Sequence, residues 1–147
     1  MKSSMCLMFM PPCDNRAREV LWASVSARLG PLRGHHVCVF GDINVVCNRE
    51  ERRSVSTSRG FYDSASFNQF IEDNFLCDLP LCGRNFTWFK GDGRSMSRID
   101  RFLLFEEWCL RWPTCPQVAQ LRGLSDHCAL FSTVDDENWG PKPSRFL

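Results

Sequence analysis

Three consecutive stretches constrain this chain most: an apolar run from Met5 to Met10, a helix-period stretch from Asp14 to Gly30, and a β-branched and aromatic run from Val37 to Phe40. The first is too short to cross a bilayer and lacks a small-residue cleavage site, so it reads as a buried strand, with no membrane partner. The second carries Leu21, Val25 and Leu29 at helical spacing, with Asp14 or Asn15 able to accept the free N–H groups at its start. Gly30 is placed to take the left-handed conformation that ends such a helix. The third suits a short buried strand. Strand, helix, strand in that order predicts an α/β layer.

Beyond it, Asn48 to Gly60 is charged and Ser-rich with no apolar period, and reads as a long exposed loop. Phe67, Phe70 and Ile71 predict a second helix over Ser64 to Asn74, capped by Asp63 or Ser64. Short extended segments follow at Cys77 to Leu81, Phe86 to Phe89, Ser97 to Leu104, Gln117 to Leu121 and Cys128 to Val134. Gly91-Asp92-Gly93 is a hairpin signal, and Glu106 to Trp112 suits a helical turn. From Asp135 the chain is acidic and then broken by Pro141 and Pro143, so residues 1–134 read as one domain and 135–147 as a linker-like tail.

Composition narrows the function. An apolar fraction of 44% with twelve Phe and five Trp requires a packed interior. The net charge of +1 leaves no bulk field for a polyanion, so contact with nucleic acid has to be local. Arginines cluster at Arg49, Arg52, Arg53 and Arg59, and at Arg84, Arg94, Arg98 and Arg101; they either place positive charge beside a site or sit on solvated loops paired with Glu50 and Glu51. Nine scattered cysteines without a Cys-x-x-Cys pair support neither a disulfide framework nor a zinc module, and fit reduced, intracellular thiols.

Three short motifs carry chemistry. Gly41-Asp42-Ile43-Asn44 follows the strand at Val37 to Phe40, where ligands of α/β folds bind; taken alone it reads rather as an ordinary turn. Asp100 interrupts the apolar run of Ser97-Arg98-Ile99-Asp100-Arg101-Phe102, and is either partly buried with a partner or exposed and paired with Arg98. Periodicity does not decide between these. Ser125-Asp126-His127 offers a hard oxygen ligand beside an imidazole that a carboxylate can hold protonated, though an Asp-His pair alone is usually a turn.

Taken in order, with Thr87-Trp88 between them, these motifs resemble the signature of the endonuclease/exonuclease/phosphatase family, and the match covers roughly Cys6 to Val134. Pro12 to Arg18 and the tail Trp139 to Pro143 resemble plant non-LTR, LINE-type retrotransposons, in which such a domain precedes a reverse transcriptase. The resemblance implies Mg²⁺-dependent hydrolysis of DNA phosphodiesters in the nucleus. It assigns Asp42 to the attacking water, Asn44 to the phosphate, Asp100 to orienting His127, and His127 to the developing negative charge. Asp126 would be a metal ligand, Trp88 would pack near the substrate or support the site, and Arg98 would lie at the substrate.

The family fold is a four-layer sandwich, of which this chain matches about the C-terminal half: mostly one mixed or antiparallel sheet with flanking helices. The Asn and the Glu that the family carries on earlier strands have no counterpart in the match, and Met10 stands where relatives carry Tyr. With Asp126 alone, Mg²⁺ binding should be weak. The implied protein is therefore a truncated endonuclease, inactive alone. Its alternatives are a non-catalytic remnant or interaction module, and a phosphodiesterase or phosphatase completed by another chain. Half a sandwich also predicts an open sheet face through which the chain associates.

Overall fold

The computed structural model describes residues 4–8, 10–55 and 64–134; the tail, Asp63 and the loop from residue 56 lie outside them. The protein is mixed α/β, with three helices and three sheets among the described residues. The main sheet has the order β1-β2-β8-β4, built from β1 (Ser4–Met8), β2 (His36–Asp42), β8 (Asp100–Phe105) and β4 (Leu76–Asp78). β1 runs parallel to β2, and the other pairings are antiparallel. Two small sheets replace the expected single one: β10-β9-β5 (Leu130–Ser132, Gln117–Ala119, Leu81–Cys82) and β3-β7-β6 (Arg52–Arg53, Met96–Ser97, Trp88–Phe89).

Alternation divides the main sheet into two faces. Val37 and Val39 of β2 and Leu103 and Phe105 of β8 point to one face, where α1 (Asn15–Leu29) contributes Trp22, Val25 and Leu29, and α2 (Ser64–Asp73) contributes Phe67 and Phe70. Trp22 stacks on Phe70 with centroids 4.9 Å apart. On the other face, Cys38, Leu104 and Cys115 are buried beneath Trp108 and Cys109 of α3 (Glu106–Arg111) and beneath Trp112. That cover is thin: Phe40 and Phe102 stack on each other there and remain half-buried.

The first helix starts as its sequence indicates, with the Asp14 carboxylate accepting the Ala17 N–H at 2.8 Å. Its end corrects the expectation for Gly30, which is right-handed (φ −49°) and leads into a 3-10 helix, Gly30–Leu32. Pro31 has no N–H to extend the α-helical ladder, and the left-handed step falls to Gly34 at φ 85°. Within the run Met5 to Met10, of which Phe9 lies outside the described residues, Met5 to Met8 belong to a strand that is not buried. As an edge strand it packs Leu7 inward and leaves Met8 71% exposed. The long loop expected at Asn48 is ordered at its start: Asn48 caps a 3-10 helix at Arg49–Glu51, and β3 follows it.

Candidate active site

Two aspartates meet where the two central strands end and begin. β2 closes on Asp42, β8 opens on Asp100, and the antiparallel register sets these residues directly opposite each other. Gly41, just before Asp42, takes φ 147°, a conformation that side-chain-bearing residues resist. Like charges facing each other across a ladder repel. His127 relieves this repulsion: its Nδ1 lies 2.9 Å from Asp100 Oδ2, and its Nε2 lies 3.8 Å from Asp42 Oδ2, beyond hydrogen-bond range.

Thr87 brings the histidine and the sheet together. Its hydroxyl, fully buried, accepts the backbone N–H groups of Ile99 and Asp100 at 3.0 Å each. Its carbonyl accepts from Cys128 at 2.6 Å. Trp88 forms an antiparallel bridge with His127, and the Phe89 N–H donates to the Asp126 carbonyl at 2.9 Å. The Ser125 hydroxyl accepts the His127 N–H at 3.0 Å and closes the turn.

The electrostatics follow from this packing. Burial raises the Asp42 carboxyl above its ordinary value and the facing Asp100 adds to this, against the opposing pull of the Asn44 N–H and His127. For His127, burial favours the neutral ring, but the hydrogen bond and charge of Asp100, with the charges of Asp42 and Asp126, outweigh it and raise the imidazole. The two carboxylates thus favour the protonated ring more than water does.

Of the residues singled out from sequence, Asp42, Asp100 and His127 converge. Asn44 sits beside them in the left-handed region (φ 57°), its N–H on Asp42 Oδ1 at 3.0 Å and its side-chain amide donating to the Pro11 carbonyl at 3.4 Å. Trp88 buttresses the turn, its indole N–H donating to Asp126 Oδ2 at 3.0 Å, while Asp126 is exposed. Arg98 is neither the partner of Asp100 nor open to a ligand. It binds Glu51 at 3.2 Å, Asp78 at 2.8 Å and the Leu79 carbonyl at 2.8 Å, with its side chain 12% exposed.

Arg98 belongs to a second cluster, in which the expected pairing with Glu51 is present but buried, and Asp78 joins it. Arg101, fully buried, bridges Glu51 and Asp78, and Cys47 lies beside both acids. The available signal was a guanidinium inside the apolar run of β8, which requires buried partners as surely as Asp100 does. Thr87, a hydroxyl between aromatic residues, gave no such signal.

Among the described residues, two groups bring possible ligand atoms within 4.8 Å of one another: Asp42, Asp100 and His127, and Cys47, Glu51 and Asp78. Neither matches the oxygen-rich, near-octahedral surroundings of Mg²⁺. The first already holds the imidazole between its carboxylates. In the second, two guanidinium groups occupy the acids, and burial pushes the Cys47 thiol up to about 11. Asp126 offers a hard cation one exposed carboxylate, with one oxygen engaged by Trp88. In comparisons with known proteins, no family model matches this chain, and no curated protein matches it.

Proposed function

We propose that this stretch of chain is the second half of an endonuclease/exonuclease/phosphatase domain of the non-LTR retrotransposon kind, directed at DNA phosphodiesters in the nucleus, and hydrolytically inactive by itself. The observation that carries this reading is the placement of His127 between Asp42 and Asp100, beside the turn that holds Asp126 against Trp88. In such a cluster Asp42 orients a water and takes its proton, while Asp100 keeps the imidazolium aimed at the phosphoryl oxygens. The Asn44 amide has a second N–H to donate beside the one engaged by Pro11. Inactivity follows from the cation: the family's Mg²⁺ finds no complete ligand set among the described residues. That same gap favours, as a second reading, a non-catalytic remnant or a half completed by another chain.

Two measurements test the proposal. With supercoiled plasmid and Mg²⁺, the chain and its Asp126→Ala variant should both nick at background level; nicking by the parent alone would overturn the inactivity. Adding a short DNA duplex to ¹⁵N-labelled protein should shift the NMR signals of Asn44, Trp88 and His127. Unchanged signals at those positions would remove the phosphodiester reading.

A further inference from the structure

We infer that Arg18 is a positioning residue of this site, acting through Asn44 on the orientation of Asp42. Arg18 lies on α1 among the apolar side chains Trp22, Val25 and Leu29, and is 4% exposed, so it touches no substrate. Its side-chain hydrogen bonds go to two uncharged oxygens, the backbone carbonyl of Asn44 at 3.2 Å and the side-chain carbonyl of Asn15. Among the described residues its charge therefore has no counter-ion. Burying a cation this way is costly, and proteins break such rules mainly where function requires it.

The bonds form a relay. The Arg18 guanidinium holds the Asn44 carbonyl, and the Asn44 side chain donates to the Pro11 carbonyl. These contacts hold Asn44 in the left-handed conformation, in which its N–H meets Asp42 Oδ1 at 3.0 Å. With Oδ1 engaged, Oδ2 is the oxygen turned toward His127. Arg18 reaches Asp42 through the Asn44 backbone, so its effect is one of geometry. Glycine would take the Asn44 conformation without strain but would bring no side chain to tie the turn to Pro11.

The functional meaning of this relay rests on the hydrolase reading, but its test does not. Amide hydrogen exchange is measured on the full ¹⁵N-labelled chain. In Arg18→Met, exchange at Asn44 should accelerate about tenfold, the scale of one lost hydrogen bond, while Val39 and Leu103 in the sheet keep their protection. Arg18→Lys, which retains a donor, should return Asn44 to within about threefold of the parent. If Arg18→Met does not fold, Arg18→Gln, too short to reach the Asn44 carbonyl, is expected to show the same local loss. Unchanged exchange at Asn44, or equal acceleration throughout β2 and β8, would overturn the relay and leave Arg18 a packing residue. A failed DNA titration with an intact exchange pattern would remove only the hydrolase reading.

Discussion

Replacing Arg101 by Met tests whether the buried charge cluster holds the fold together beneath the site. The four groups Glu51, Asp78, Arg98 and Arg101 sum to zero charge, and the substitution leaves them at −1 in a place where Arg101 itself is fully buried. Arg101→Met removes two charge-assisted bonds to carboxylates, roughly 3–6 kcal/mol in gross terms, and a third to the Arg98 carbonyl. The recovered desolvation of the guanidinium and the retained apolar stem offset part of this. The expected net loss is about 3–5 kcal/mol, against a total stability on the order of 5–15 kcal/mol. Burial already raises the Asp78 carboxyl despite the arginines, and losing Arg101 raises it further. A carboxyl raised in the fold binds its proton more tightly than in the unfolded chain, so its cost is absent below the ordinary carboxylate value, grows as pH climbs from there to the raised one, and is constant above it. Urea melts should therefore show a smaller loss at about pH 5 than at about pH 7. Arg101→Met combined with Asp78→Asn, which restores neutrality, should recover about half of it. A loss under about 1 kcal/mol at both pH values would mean that the cluster behaves as a surface ion pair, and the reasoning would be wrong.

The His127 ring should titrate above the ordinary 6.5, and Asp100→Asn should lower its midpoint, both read by NMR. Its contribution to stability is then full below the unfolded value and is lost as pH rises through the folded one; an ordinary midpoint in the parent would refute the carboxylate bracket. Thr87→Val keeps the volume but deprives two N–H groups of their acceptor, at about 1–3 kcal/mol each, and should also broaden the His127 signals. Unaltered melting would show that the Thr87 hydroxyl ties nothing together.

Local order set much of what could be read from residues in sequence. The cap at Asp14, the apolar period of both longer helices, the Gly91-Asp92-Gly93 hairpin and the helical turn after Glu106 rest on contacts between near neighbours, and all are present. Asp42, Asp100 and His127 were legible as candidates only through the order of their motifs, since the apolar period left each open between a site and a turn or surface residue. Arg18 was hidden in a helix start that appeared merely charged, and Glu51 was legible as an arginine partner but not as a buried one.

What the order of residues alone determined was where the longer helices and the central strands lie and which polar groups stand beside them, since these follow from dihedral preference and side-chain period. Only the tertiary structure decided that β1 lies at an open edge, that Arg98 turns to Glu51 and Asp78, and that Asp100 turns to His127. Those choices depend on register between strands far apart in the chain. Shifting that register by one residue would exchange the faces of Asp100 and Arg101, and with them the site and the buried ion cluster.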